Sequence, residues 1–459
     1  MINLVIPVFL TGGFLISIRL MQSPRTALWG NRLGALSMAL AILFAFQQIG
    51  ITENLHAFIY IVLGAGVGIL LGQQVRMIQM PQTVAFFNGL GGGASALVAG
   101  TAVAISTGTE PWAFWLTAAL ALGIGTLTLS GSVVAALKLQ GLISQKAVVV
   151  KGHGTILLLL LLAGVVSIAL LIIIQEFRYQ FIIAGLFALY GIFVAVRIGG
   201  ADMPVVISLL NSFSGIAAAV SGLAVNNILL AGVGSLVGVA GLILTRLMCR
   251  AMNRSLYAVL SGFVVPSSSQ GIDGKEETIK GEMLSQQEQI PHLLKKAKKV
   301  VIVPGYGMAV AQAQQSVKDL QQALEKAGIE VKFGIHPVAG RMPGHMNILL
   351  AEVGVDYEKL YGIDAINPEF PEADVVIVVG ASDIINPAAT TAEGTPIYGM
   401  PILKVFEAKV IIVCNLDDKP GYSGVENTLY NENHVIAFLG DAAETIPKII
   451  DEFKKNVME

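Results

Sequence analysis

Nine apolar stretches, each close to the length needed to cross a bilayer, occupy positions 3–20, 32–50, 56–73, 82–106, 112–137, 154–174, 180–197, 204–225 and 227–248. A spanning helix needs about 20 mostly apolar residues, and short connections leave room for little besides the helices. The pattern predicts a multi-span α-helical membrane bundle of about nine helices. Overall charge agrees, since only 13% of the residues are charged and mean hydropathy is +0.72, whereas soluble domains are nearer a quarter charged. The first stretch lacks a basic leader before it, so it reads as a retained helix rather than a cleaved signal.

The net charge of −2 conceals a division. Up to Arg254 there are twelve Lys and Arg residues and four acids (Glu53, Glu110, Glu176 and Asp202), which leaves 17 basic and 27 acidic residues beyond it. An acidic soluble half argues against nucleic acid as a partner. Lysine and arginine accumulate on the cytoplasmic side of membrane proteins. With the N-terminus outside, eleven of the twelve basic residues fall inside and only Arg178 falls outside. The C-terminal half is therefore expected in the cytoplasm. Two cysteines, Cys249 and Cys414, suggest neither a disulfide framework nor a zinc site.

Two features of the membrane half exceed what an anchor needs. "FFNGLGGGASALVAG" (Phe86 to Gly100) is rich in small residues, which let helices approach closely in lipid. Within it Asn88 must find a partner or line a wet path. In "RIGGADMPVVISLLNSFSG" (Arg197 to Gly215), Asp202 precedes Pro204, with Asn211, Ser212 and Ser214 inside the next helix. Asp202 either marks a pathway or caps the helix that begins at Pro204. No histidine falls at the centre of a stretch: His56 and His153 lie near the ends.

The residues divide into a membrane domain over 1–262, a polar linker over 263–289 and a soluble domain over 290–459. In the last, candidate strands at Val300–Pro304, Glu330–Ile335, Asp374–Val379, Val410–Cys414 and His434–Leu439 alternate with helices expected over Met308–Ala327 and Ala443–Lys455. Short apolar strands separated by helices indicate an α/β doubly wound, Rossmann-like parallel sheet. Gly305-Tyr306-Gly307-Met308-Ala309-Val310 follows the first strand and fits a dinucleotide fingerprint. Its first glycine would permit the tight turn and its second a close approach of backbone to pyrophosphate at a helix N-terminus. The second strand ends "VKFGIHPVAGR" without the acid that holds the ribose 2′-hydroxyl in ordinary NAD sites. That is permissive for NADP or for an unusual cofactor orientation. Arg341 is the one arginine beyond Arg254. It suits phosphate or carboxylate recognition, or else a loop-stabilising ion pair. "GASDIINPAA" (Gly380 to Ala389) follows a strand, where open α/β sheets bind ligands; Asp383 and Asn386 either reach a ligand there or cap the next segment. There is no nucleophile–base set and no metal-ligand spacing. Hydride transfer between two nicotinamides needs neither.

Over its whole length the chain resembles the β subunit of the proton-translocating NAD(P) transhydrogenase. The resemblance is carried by "GGADMPVVISLLNSFSG", "CRAMNRS", "PGYGMAVAQAQ", "FGIHPVAGRMPGHMNILLAE", "GASDIINPAA" and "GYSGVENTLY". It implies reversible reduction of NADP⁺ by NADH as a proton crosses from outside to the cytoplasm. NADP(H) would bind here in an inverted orientation, which would explain the missing acid. NAD(H) would sit on a partner α subunit, with the assembly a dimer of αβ units in the lipid of the inner or plasma membrane. By the same resemblance Gly305, Tyr306, Gly307, Met308, Ala309 and Val310 contact the pyrophosphate region. Val338, Ala339, Gly340 and Arg341, with Gly380, Ala381, Ser382, Asp383 and Asn386, line the nicotinamide and ribose side. Gly421, Tyr422, Ser423 and Gly424 belong to a lid, and Asp383 is a candidate for pH-sensitive linkage. Asn88, Asp202, Asn211 and Ser214 would couple the proton path to the nucleotide domain.

Two departures qualify this transfer. Many relatives carry a histidine where this chain has Asn88, and a histidine of the companion subunit is expected to take its role. Relatives usually have Lys-Arg-Ser before the Gly-Tyr segment to hold the 2′-phosphate. Here the run is Asn415-Leu416-Asp417, followed by Asp418-Lys419-Pro420, so Lys419 is the candidate replacement cation. A competing class, a transporter or channel gated by a nucleotide-sensing domain, accounts for the same two halves, but the membrane stretches hold no filter-like sequence and little charge for a solute.

Overall fold

A computed structural model of the chain describes residues 2–49, 55–145, 147–200, 202–261 and 289–458. The expected linker lies outside the described residues up to position 288. The chain divides into two compact units, Met1–Gly200 with Val205–Thr245, and Ala201–Pro204 with Arg246–Glu459.

The first unit is helical. Its elements are α1 (Ile2–Met21), α2 (Pro24–Ile49), α3 (Leu55–Gln74), α4 (Met80–Ile105), α5 (Trp112–Gln140), α6 (His153–Ile174), α7 (Tyr179–Arg197), α8 (Met203–Ala224) and α9 (Ile228–Ala251), the last two extending beyond the unit at one end. Among the described residues α2 to α9 are long and apolar enough to cross a membrane, and α1 is a further apolar helix of 20 residues. The chain is a membrane protein.

Small residues decide which helices touch. Gly92 and Gly125 bring the backbones of α4 and α5 together, and a Cβ at Gly92 would meet Thr128 at 2.7 Å. On α8, Ser212, Gly215, Ala219 and Gly222 form one face, and Gly241, Gly238, Gly234 and Ala231 of α9 lie directly against it. Ser212 Oγ donates to Gly238 O at 2.7 Å, and Thr245 Oγ1 donates to Ser208 Oγ at 3.1 Å. These are the packing and interhelical hydrogen bonds that drive association where lipid removes the hydrophobic incentive. In contrast, α3 buries none of its residues.

The second unit holds a six-stranded parallel sheet. Its strands are β1 (Lys299–Pro304), β2 (Glu330–Ile335), β3 (Leu360–Gly362), β4 (Val375–Val379), β5 (Ile411–Cys414) and β6 (Val435–Ala437), in the order β3-β2-β1-β4-β5-β6. β1 and β4, "KVVIVP" and "VVIVV", are buried almost throughout, as central strands covered on both faces must be. Helices α10 (Ile290–Lys296), α11 (Tyr306–Val310), α12 (Gln314–Lys326), α13 (His345–Glu352) and α14 (Ala442–Met458) accompany the sheet. α12 buries Val317, Leu320, Gln321 and Leu324, and α14 buries Ile446, Ile449, Ile450 and Phe453. Both sets follow the i, i+3, i+4, i+7 spacing of an amphipathic helix.

Two expectations need correction. β3 was not anticipated: it is three residues long and half-buried, too short to show a period. The single helix expected over Met308–Ala327 is two. Gln312 adopts φ +53°, Gln312 N–H donates to Ala309 O and Ala313 N–H to Met308 O, the paired bonds of a Schellman ending. Glycine normally marks that position, and its absence hid the break. The other expected strands are found with ends shifted by two residues at most.

Gly215→Leu should drive α8 off α9, because its Cβ lies inside the Gly238 backbone. Overpacking costs about 1–3 kcal/mol, and we expect a clearly lower unfolding midpoint in detergent. A Cβ at Gly232 on α9 meets nothing within 4 Å, so Gly232→Ala should not lower the midpoint.

Candidate functional site

All six strands are parallel, so β1, β2, β4 and β5 deliver their following loops to one edge of the sheet. The chain turns one way from β1 and the other way from β4. These adjacent strands therefore form the switch point outside which open α/β sheets bind ligands. The loops meet there through glycine. Gly305 N–H donates to Val379 O and Gly307 N–H to Gly380 O, both at 2.8 Å. A Cβ on Gly305 would overlap Gly380 O, one on Gly307 would come within 2.6 Å of Gly380 Cα, and Gly380 itself has φ +69°. The second glycine of the fingerprint was expected to bare the backbone for a pyrophosphate. Here its space is taken by Gly380 and its N–H is used, so both glycines lock β1's loop onto β4's.

Above this lock sit aromatic and cationic groups. The Arg341 guanidinium lies 4.7 Å from the centre of the Tyr306 ring, and the Tyr422 ring is 6.0 Å away on a tilt of 48°. Burial pushes the Tyr306 hydroxyl up to about 12, with Arg341 opposing. Asp383 accepts from Ser423 N–H at 3.0 Å and from Ser423 Oγ at 2.6 Å, and Gly421 packs against its carboxylate. Burial raises the Asp383 pKa, and the bonds from Ser423 and Tyr422 limit the rise. The loops bearing Gly305–Val310, Arg341, Gly380–Asp383 and Gly421–Ser423 are thus brought together at one place.

The remaining residues separate by role. Asn386 is fully buried, donates to Glu426 O at 3.0 Å and accepts from Ala388 N–H at 3.0 Å, so its amide ties loops together. Met308 and Ala309 are buried in the core, whereas Val310 is exposed. Val338 N–H donates to His336 Nδ1 at 3.2 Å, His336 Nε2–H donates to Pro401 O at 2.7 Å, and Arg341 N–H donates to His345 Nδ1 at 3.2 Å. Two neutral histidines therefore shape the Val338–Arg341 loop, which passes Ala339 and Gly340. Burial pulls both down to about 4, joined at His345 by the charge of Arg341. Lys419 lies apart on an exposed turn, 3.7 Å from Asp417. Asn415 was read only as part of a substituted run. It is buried, and its amide donates to Ala381 O and to Tyr430 Oη, both at 2.8 Å, so it pins the end of β5 to the loop after β4.

Asp202, also in the second unit, accepts two 2.9 Å bonds from Arg254 Nη1. Burial raises its pKa, and Arg254 opposes the shift. A buried carboxylate at a helix start is tolerable because this cation neutralises it.

Within the first unit, Asn88 Nδ2 donates to Ser132 Oγ at 3.1 Å. Asn88, Ser132 and Asn211 each lie eight residues from the same end of the bundle, counted from Met80, Gln140 and Met203. At 1.5 Å per residue that is a shared depth of about 12 Å. Ser214, one turn past Asn211, comes within 3.1 Å of the position a Cβ would take on Gly91, one turn past Asn88. The structure therefore gathers Asn88, Asn211 and Ser214, and adds Ser132, which period and composition did not distinguish from other small residues. It also adds Lys138 of α5, buried to 1% exposure, whose ammonium donates to Val196 O at 2.6 Å and Ile198 O at 2.7 Å. His153 Nε2 reaches Phe193 O at 3.0 Å. Lys138 thus satisfies carbonyls that the end of α7 leaves open, and His153 adds a bond to a carbonyl one turn before that end.

A family model described as NAD(P) transhydrogenase beta subunit matches residues 5–452. Two proteins of Rhodospirillum rubrum, both named NAD(P) transhydrogenase subunit beta, are each similar to the chain at 38% identity over 449 residues, 95% of this chain and 96% of theirs.

The histidines predict a pH response. Between about 4 and 6.5 the unfolded chain binds protons that the folded one refuses, so stability rises with pH across that window and is complete above it. His336, almost fully buried, should account for a loss on the order of 2–3 kcal/mol between pH 7 and pH 4.5. Denaturant unfolding of His336→Gln should show a lower stability at pH 7 and a visibly flatter dependence on acid.

Proposed function

The chain belongs to the NAD(P) transhydrogenase beta subunit family, and we propose that it binds NADP(H) at the edge of its sheet and couples hydride transfer from NADH, held by an α subunit, to proton movement across the membrane. The observation that carries this reading is the meeting of four loops at the β1/β4 switch point, with the Arg341 guanidinium stacked on Tyr306. A fixed planar cation and two aromatic faces above a side-chain-free loop junction fit a phosphate-bearing dinucleotide. Gly305–Val310, Val338–Arg341, Gly380–Asp383 and Tyr422 would hold it. When bound, the nicotinamide supplies the hydride chemistry, and the protein is left to orient it and exclude water. Asp383, tied to Ser423, holds the Gly421–Ser423 segment over the same edge. Asn386 acts through loop structure, and Lys419 is the candidate second cation for a 2′-phosphate in place of the family's Lys-Arg pair.

In this reading 1–262 is the translocating domain, 263–289 the linker and 290–459 the nucleotide domain. The N-terminus is outside, the nucleotide domain is cytoplasmic, and two αβ units assemble in the cell membrane. Asn88, Asn211 and Ser214 form the polar level of the proton path, and Asp202 with Arg254 stands at the start of α8. A proton crossing at 100 mV is worth about 2.3 kcal/mol, roughly a 50-fold change in an equilibrium constant. Using it requires nucleotide affinity to depend on the state of the path, and linkage makes that dependence reciprocal.

Calorimetry on the full chain with separate NADP⁺ and NAD⁺ titrations tests the cofactor. We expect NADP⁺ to bind at least tenfold more tightly. Loss of a hydrogen bond to a charged group costs about 1.5–3 kcal/mol, so Arg341→Ala should weaken NADP⁺ roughly tenfold or more. Equal affinity for the two nucleotides would transfer the phosphate-binding role away from this chain. Hydride exchange should appear only once the α subunit is added.

A further inference from the structure

The end of the bundle opposite Asn88 holds four buried polar atoms with no hydrogen-bond partner among the described residues: Glu110 Oε2 in the 106–111 connection, and Trp115 Nε1, Gln180 Oε1 and Ser221 Oγ on the helices. The last three belong to residues that are 1%, 7% and 0% exposed. Each lies within three residues of a helix end on that side, counted from Trp112 on α5, Tyr179 on α7 and Ala224 on α8. They belong to one locality. Trp115 and Ala224 share a packed cluster with Ile183, and Tyr179 and Val220, the direct neighbours of Gln180 and Ser221, pack against it. Gln180 Oε1 faces Gly100 of α4, 3.4 Å from where a Cβ would be.

Buried polar atoms without a partner are rare and costly, and each one asks for a hydrogen-bonding occupant. An indole N–H is donor only, an amide oxygen acceptor only and a hydroxyl both, which is the mixed set that water bridges. Ser221 also stands on the same stripe of α8 as Asn211 and Ser214, at spacings of three and seven residues. That stripe is turned roughly 100° from the face α8 gives to α9, by 3.6 residues per turn. From Ser214 to Ser221 is about 10 Å along the helix at 1.5 Å per residue.

We propose that Trp115, Gln180 and Ser221 bind water as the hydrated mouth of the proton path on the face bearing the 106–111 connection, continuing through Ser221 to the Asn211–Ser214 level. This rests on the proton-translocating reading above. None of these three groups ionises; they position water, and the water carries the proton past Glu110, the carboxylate of the 106–111 connection, whose other oxygen accepts from Thr107 N–H.

The test uses the full chain assembled with its α subunit in sealed vesicles. Gln180→Cys should react with a small, membrane-impermeant thiosulfonate applied to the 106–111 face at least tenfold faster than the parent, whose Cys249 and Cys414 are buried. Gln180→Leu should slow proton uptake, followed by a pH-sensitive dye, at least fivefold with NADP⁺ affinity unchanged. Gln180→Glu should restore it by restoring an acceptor oxygen. Ser221→Ala provides a second variant where Gln180→Leu fails to assemble, with the same direction expected. No labelling would mean a dry site and overturn the proposal. Labelling with full proton uptake in Gln180→Leu or Ser221→Ala would overturn it too, as a water pocket off the path. A parent that transfers hydride without moving protons would instead refute the coupling reading, while the labelling result still reports whether the mouth is wet.

Discussion

Direct contact of backbone with backbone underlies both halves of this protein. At the sheet edge, Gly305 and Gly307 close onto Gly380 so tightly that no side chain fits between the loops after β1 and β4. Between α8 and α9, Gly215, Gly222, Gly234 and Gly241 do the same for two membrane helices. In each case removal of a Cβ lets fixed hydrogen bonds form, to Val379 O and Gly380 O in the first and from Ser212 to Gly238 O in the second. Candidate site residues are then placed by what surrounds the contact. Tyr306, Arg341 and Tyr422 stack above one, while Asn211, Ser214 and Ser221 run beside the other.

The edge of the sheet that carries the motif loops is built largely from loops that hold one another. Asn386, Asn415 and Asn427 each donate to a backbone oxygen of a neighbouring loop, and Asp383 collects Ser423. Such side-chain-to-backbone ties rigidify a site without contributing to its chemistry. They explain how the segment after β5 keeps its place: Asn415 is a structural tie between β5 and the loop after β4, whereas Leu416 is exposed. Cationic character at the edge therefore rests on Arg341, with Lys419 paired to Asp417 further out.

In the membrane unit the polar groups are handled in two ways. Lys138 and His153 spend their donors on carbonyls near the end of α7, and Asn88 spends one on Ser132. These bonds replace what water would supply outside lipid. Among the described residues Trp115, Gln180 and Ser221 are buried without such partners, and the contrast sets them apart from polar residues that merely stabilise helix packing.

Sequence alone determined the run of apolar helices, though not every end (α2 begins at Pro24 rather than near 32), the parallel α/β character of the C-terminal half and the loops that carry the motifs. Those properties follow from local periodicity, glycine turns and the length a bilayer demands. It also put the motif loops together, because residues after successive parallel strands must share an edge. Only tertiary structure decided what each residue touches. It turned the fingerprint's second glycine toward Gly380, gave Asn386 and Asn415 to loop architecture, paired Asp202 with Arg254 and revealed Lys138 as a buried cap. β3 and the Gln312 turn were invisible for the same reason: one is too short to have a period, and the other lacks the glycine that usually marks a left-handed residue. Partners distant in the chain leave no local trace, and a polar residue is defined by its partner.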